Sequence, residues 1–468
     1  MASLKNWQFS LLALASATSP LVAASPTETK ALLAAIHEDR AEDVIGMLEN
    51  GADAKGTNRY GVHPLSVACK NGNAKLVQAL IDAGADVNAP GKGGHTPLMT
   101  ASRTGRVKPV LALMKAGAQV NAKDRNDQTA IMWAAVEGHA DVVELLLESD
   151  ATRTDQLDTG FNPWFFAARQ GHIDVIDVLL AHGADVNAPM KNDGGGGRTP
   201  ANGTSALILA LENGHFDCAT RLLEAGADPN DMRSGFAPLH VLSWVRKPVR
   251  GDGIDGAPPP RGSGEMTSLQ FVDALVKHGA EVNGQLKRGN SGASRLGRPG
   301  STPFLMASRT ADLPLMKLLV NHGADFRLPN KQGRTPLLAA AGVALGPEAD
   351  EAATEDEAML AVDYLLELGA DLNVVDNEGD TIMHSAAYKQ APKLVRMLAE
   401  KGADITVWNQ KNRKGWTPLL IAQGFRYGNF KPSDQTIAAL SEVMRAAGIE
   451  PPKAPERPVI GKKEKYGN

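Results

Sequence analysis

A short glycine-centred signal, Gly-Ala-Asp or a close variant, returns along this chain at a fixed interval. It stands at Gly51, Gly84, Gly117, Gly183, Gly226, Gly279, Gly323, Gly369 and Gly402, and the first steps are 33 residues each. The gap from Gly117 to Gly183 is two such steps, with a degenerate copy at Asp150-Ala151-Thr152 between them. A fixed period of this length means that one structural unit is stacked on the next, each unit too small to bury its apolar surface alone. At 468 residues the chain is also too long for one compact core, which stops growing at roughly 250–300 residues.

A second marker stands 21 residues before most of the glycine signals: His63-Pro64-Leu65, Thr96-Pro97-Leu98, Thr129-Ala130-Ile131, Asn162-Pro163-Trp164, Ser205-Ala206-Leu207, Thr302-Pro303-Phe304 and Thr381-Ile382-Met383. Ala237-Pro238-Leu239-His240, Thr335-Pro336-Leu337 and Thr417-Pro418-Leu419 belong to the same set with longer spacers. Threonine caps a helix by accepting an orphan amide, and proline fits the first helical position. In the stretch after Thr129, Ala134-Ala135 lets a first helix approach its neighbours closely, and Gly138-His139 turns the chain. Val142, Val143, Leu145, Leu146 and Leu147 then form the apolar stripe of a second helix, which the terminal glycine ends in a left-handed conformation.

The period and the Thr-Pro-Leu-His line resemble the ankyrin-repeat family, from about Thr29 to about Gly448. The resemblance implies an all-α solenoid of helix-turn-helix units with hairpin-loop fingers, about eleven pairs including an N-terminal cap over Thr27–Asn50. It also implies that His240 and His384, in the fourth place of the line, hydrogen-bond between repeats. Spacing excesses place insertions near 190–203, 246–266, 285–300, 343–357 and 424–434, with a Pro- and Lys-rich tail over 451–468 expected to be disordered. The repeat array is thus expected over 25–450.

Residues 1–24 read as a secretory signal. Lys5 is the basic end, Phe9 to Ala17 the apolar run, and Val22-Ala23-Ala24 the small cleavage residues. The expected location is therefore periplasmic or secreted, and cytoplasmic if that reading fails. No run reaches the ~18 apolar residues of a membrane span.

Lys and Arg total 49 against 53 Asp and Glu, a net charge of −4 that gives no overall field for a nucleic acid. Two cysteines cannot build a disulfide scaffold or a structural zinc site. Cys69 and Cys218 fall in core slots and are expected to be free, buried thiols. Gly251-x-Gly253-x-x-Gly256 lacks the preceding strand of a dinucleotide loop, and Gly194–Gly197 lacks the Gly-Lys-Ser/Thr of a phosphate loop. Asn202-Gly203-Thr204 is a glycosylation sequon, meaningful only in a eukaryotic secretory pathway. The histidines fall at turn, helix-end and hydrogen-bonding registers. No nucleophile stands in a recognisable elbow. Catalytic, cofactor and metal residues are all expected to be absent.

The family resemblance directs attention to the concave side, built from fingers and first-helix ends. Arg59, Tyr60, Lys92 and Arg125 fall on fingers, and Lys70, Arg103 and Arg169 on helix ends. Together they would be a basic stripe for an acidic protein partner, although a solvated polar face would look the same. Trp244 falls on an exposed slot, and Trp408 and Trp416 flank the last finger around Lys411, Arg413 and Lys414, a second contact patch. The expected function is an exported, monomeric protein-binding scaffold without catalysis. The rivals are an enzyme or small-ligand receptor built by the insertions, and a structural or envelope-associated spacer.

Overall fold

The computed structural model describes residues 26–192, 200–248, 259–287, 299–342, 353–425 and 431–453. The leader at 1–24, both glycine-rich motifs and most of the tail lie outside the described residues. Among those described there are 23 helices and no strand. They group into two compact units, Met1–Ala130 and Ile131–Asn468.

Unit 1 holds three helix pairs: α1 (Pro26–His37) with α2 (Ala41–Glu49), α3 (Pro64–Asn71) with α4 (Ala74–Asp82), and α5 (Pro97–Thr104) with α6 (Val107–Lys115). First helices stack on first helices and second on second. Unit 2 continues the pattern with α7 (Ala130–Glu137), α8 (Ala140–Glu148), α9 (Pro163–Gln170), α10 (Ile173–Ala181), α11 (Ala206–Glu212) and α12 (Phe216–Glu224). It goes on through α13 (Pro238–Arg246), α14 (Ser268–Lys277), α15 (Pro303–Arg309), α16 (Leu313–Asn321), α17 (Pro336–Ala340) and α18 (Glu355–Glu367). The final elements are α19 (Ile382–Lys389), α20 (Pro392–Glu400), the single turn α21 (Ile405–Trp408), α22 (Pro418–Ala422) and α23 (Asp434–Ala446). Taking α21 as part of a finger, the described helices make eleven pairs, the number that the period predicts.

The helices begin and end for the reasons legible in the repeat. Thr96 and Thr302 accept the amides of Met99 and Leu305 at 3.3 and 3.1 Å, with proline next in each case. Gly84 and Gly117 close second helices at φ 86° and 91°, where a side chain would be strained. The stripes are inside: Leu76, Val77 and Leu80 of α4, Val142, Val143 and Leu146 of α8, and Phe271, Val272 and Leu275 of α14 are essentially inaccessible. Each such side chain contributes about 1.5–3 kcal/mol on burial, and it is buried only because a neighbouring pair covers it.

Two sets of polar ties fasten successive repeats in unit 2. His240 Nε2 donates to the carbonyls of Gly284 (3.1 Å) and Ser301 (3.2 Å), and His384 Nε2 donates to Trp416 O at 3.1 Å. These are the inter-repeat bonds that the Thr-Pro-Leu-His line implies. The other set was not read from the sequence. The asparagine two residues after Gly-Ala-Asp brackets the next glycine signal: Asn187 donates to Gly226 O and accepts Asp228 N, and Asn230 does the same with Gly279 and Glu281. Its recurrence as Gly-Ala-Asp-x-Asn was the available sign.

One boundary moves. Residues 355–357, counted by spacing as the end of an insertion, are the first turn of α18. There Thr354 caps Glu357 N at 3.2 Å while the Glu357 carboxylate accepts Thr354 N at 2.9 Å, a reciprocal cap that extends the helix backwards.

Candidate functional site

In unit 1 the fingers are closed by side-chain carbonyls and carboxylates that bind backbone amides, which pushes the residues beside them outward. Asn58 Oδ1 accepts Tyr60 N and Val62 N, so Arg59 and Tyr60 stand at the tip, with Tyr60 57 % exposed. Arg59 stacks on the Tyr60 ring, 4.7 Å from its centroid. Asp124 Oδ1 accepts Asn126 N and Gln128 N in the next closed finger, presenting Arg125. The Arg125 amide donates to Gly93 O, which joins that tip to the loop carrying exposed Lys92. Below the tips, Lys70 and Arg103 lie exposed in the last turns of α3 and α5, where the helix C-terminus favours a cation.

The charge on this face is unbalanced for a structural reason. Its carboxylates close turns: Asp53 accepts Lys55 N, Asp86 accepts Asn88 N, and buried Asp124 also meets His95 at 3.0 Å. Asp127 is the exposed acid at the tips. Elsewhere in unit 1, Arg40 pairs with Glu38 and Asp43 and Lys75 with Glu42, while Lys108 and Lys115 of α6 are exposed. Arg59, Lys70, Lys92 and Arg125 have no carboxylate partner among the described residues. The finger and first-helix face of unit 1 is therefore a cationic surface carrying one exposed aromatic.

Unit 2 begins similarly and then changes. Arg169 is exposed at the end of α9, its guanidinium 5.3 Å from the Phe161 ring centroid. Beyond it Glu212 at the end of α11 is still exposed, and the equivalent slots after it turn inward. Val245, Thr310, Gly342, Tyr388 and Lys389 are all buried, at registers where Lys70, Asn71, Arg103 and Arg169 are exposed. The cations nearby are spent internally. Arg246 makes a bidentate pair with Asp312, Lys247 bonds Glu357 and the Ala311 carbonyl, and Lys389 Nζ donates to Ala353 O at 2.8 Å.

The aromatic expectations need correcting for the same reason. Trp244 is half-buried, not exposed, with Phe236 edge-on at a centroid distance of 4.9 Å. Trp408 is 2 % exposed because α21 turns it into the core, so it cannot belong to a contact patch. Trp416 is half-buried, with Lys414 Nζ 5.4 Å from its ring centroid, and its carbonyl receives His384. Trp164 is buried and Trp133 half-buried, as core residues should be.

Among the described residues no group of His, Cys, Asp and Glu could hold a metal ion, and no helix is long and apolar enough to cross a membrane. Cys69 and Cys218 are free and buried. Burial pushes both thiols up to about 12, which leaves them protonated and unreactive.

Comparison with known proteins now bears on the geometry. A family profile described as ankyrin repeats (3 copies) matches residues 31–124, 110–190 and 351–430, and a second, ankyrin repeats (many copies), matches 165–223. Together they cover more than half of the chain. It belongs to the ankyrin-repeat family. The fowlpox virus ankyrin repeat protein FPV031 is 30% identical over 161 residues, which are 33% of this chain and 41% of that protein. The mouse B-cell lymphoma 3 protein homolog is 33% identical over 141 residues, 30% of this chain and 24% of its own length. A zebrafish protein carrying the name palmitoyltransferase ZDHHC13 is 33% identical over 223 residues, 46% of this chain and 32% of that protein. The chain spans less than half the length of each of these relatives. Ankyrin repeats generally mediate protein–protein interaction, and Arg59, Lys70, Lys92 and Arg125 lie on the fingers and a first helix of such repeats.

Proposed function

We propose that this ankyrin-repeat chain is an exported binding scaffold without catalysis, and that unit 1 supplies the contact surface for an acidic segment of a partner protein. One observation carries the reading. Arg59, Lys70, Lys92 and Arg125 stand exposed together on the fingers and a first-helix end of unit 1, with no carboxylate partner among the described residues. A protein gains little by leaving a row of like charges unpaired, but such a row raises the encounter rate with an opposite surface. Tyr60, stacked with Arg59, supplies an exposed aromatic anchor.

Capture of partners on the full chain, followed by affinity measurement on the identified partner, tests the surface. The double variant Lys70→Glu, Arg103→Glu is expected to bind several-fold to tenfold more weakly at low salt. The difference should shrink at 1 M salt, where the screening length is roughly 3 Å. Lys108→Glu with Lys115→Glu, two exposed cations on the second helix α6, is the control. Lys75 and Arg221 serve less well, because each is tied into an ion pair, with Glu42 and Asp177. Equal loss in both double variants, or none in either, would reduce the face to a solvated surface.

The export half is separable. A reporter active only outside the cytosol, fused to residues 1–25, should give signal. Replacing Leu11, Leu12 and Leu14 by aspartate should abolish it. Activity that survives those substitutions would remove the secretory reading of the leader.

A further inference from the structure

Part of the second long insertion does not project as a loop. Residues 261–266 return across the turn between α11 and α12 and are fastened there by two side chains. Ser263 N donates to His215 Nδ1 at 2.9 Å, and Ser263 Oγ lies 2.9 Å from the same nitrogen. Asp217 Oδ2 accepts the amides of Glu265 at 2.7 Å and Met266 at 3.3 Å. The fit is close. A Cβ on Gly262 would lie 1.8 Å from Gly214 O, and one on Gly264 would lie 1.6 Å from Asp217 Oδ2, so only glycine allows the approach at either place.

The bond to Ser263 N requires a bare Nδ1. With Ser263 N donating to Nδ1, the imidazole is neutral and its proton sits on Nε2. A second proton would turn Nδ1 into a donor facing the Ser263 amide. Around the ring stand His172 and Asp174 from the preceding turn, Asp217 on its own helix and Glu265 in the strap, all lining one groove of about 550 Å³.

The geometry points to a pH-sensitive strap: residues 261–266 are latched on His215 at neutral pH, and protonation of that histidine releases them and opens the groove. Desolvation, with the nearby His172 in the same direction, holds His215 below the ordinary histidine value, so the latched form keeps its ring neutral. The unlatched ring titrates nearer 6.5, and the latch weakens progressively as pH falls below that.

Hydrogen–deuterium exchange on the full chain at pH 7.5 and pH 5.0, normalised to unstructured peptide at each pH, reads the latch directly. The Ser263 and Glu265 amides should exchange at least tenfold more slowly, relative to that standard, at pH 7.5 than at pH 5.0. His215→Asn keeps an acceptor oxygen near the Nδ1 position but cannot titrate, and should remain protected at both values. Gly262→Ala should be unprotected at both, with α11 and α12 still protected. If that variant does not fold, the wild-type and His215→Asn pair decides alone. Equal wild-type protection at both pH values would overturn the switch, and none at either would overturn the strap. A pH-dependent loss that persists in His215→Asn would overturn the assignment to His215.

Discussion

Acidifying the full chain from pH 7.5 to pH 4.5 is expected to lower the urea midpoint of unit 2 steeply, with most of the fall below pH 6.5. His240 and His384 are inaccessible to solvent, and burial pushes both down to about 4 against the offered bonds of neighbouring carbonyls. The sign follows from linkage. The unfolded chain protonates each ring near 6.5 while the folded chain resists until about 4, so the unfolded state binds more protons across that window. Stability is complete above 6.5 and is lost on the way down, by about 3 kcal/mol for each ring if the full shift is realised. Replacing both residues by glutamine keeps a donor toward the carbonyls of Gly284, Ser301 and Trp416 but removes the titration. The double variant should be less stable at pH 7.5 and nearly flat through the window. An unchanged slope would assign the acid sensitivity to other groups.

Breaking the Arg246–Asp312 pair should produce a comparable loss at neutral pH. Arg246 Nε and its terminal nitrogen reach the two Asp312 oxygens at 2.7 and 3.0 Å, and the side chains are 15% and 2% exposed. Asp312 also accepts Leu315 N at 3.3 Å, capping α16, so it cannot swing out to water. Arg246→Met would strand a carboxylate in the interior, at an expected cost of about 3–5 kcal/mol in denaturant titration. Arg246→Met combined with Asp312→Asn should recover much of that, because asparagine can still cap the helix without the charge. A single variant within 1 kcal/mol of wild type would mean that water reaches the pair and screens it.

The architecture of this protein was legible because its determinants are local. Thr96 caps α5 across three residues, Gly84 ends α4 at the next bend, and the α4 stripe needs only its own periodicity. Repetition then places every unit, which is why Cys69 and Cys218 could be put in the core by register, while the family resemblance put His240 and His384 on inter-repeat bonds. The exposure of Arg59, Lys70, Lys92 and Arg125 was legible in the same way, since it follows from their place in the repeat.

Register could not show which equivalent slots stay open in unit 2. Trp244, Tyr388 and Lys389 occupy the same kind of position as the exposed Lys70 and Asn71, yet they are wholly or partly covered. Their surroundings come from segments far away in the chain: Arg246 meets Asp312, Lys389 meets Ala353, and Ser263 reaches back to His215. Exposure is a property of everything packed around a side chain, and insertions contribute to it without any period. A repeat therefore determines its own helices and core, while the faces left open for a partner are decided only when the interruptions have folded back onto it.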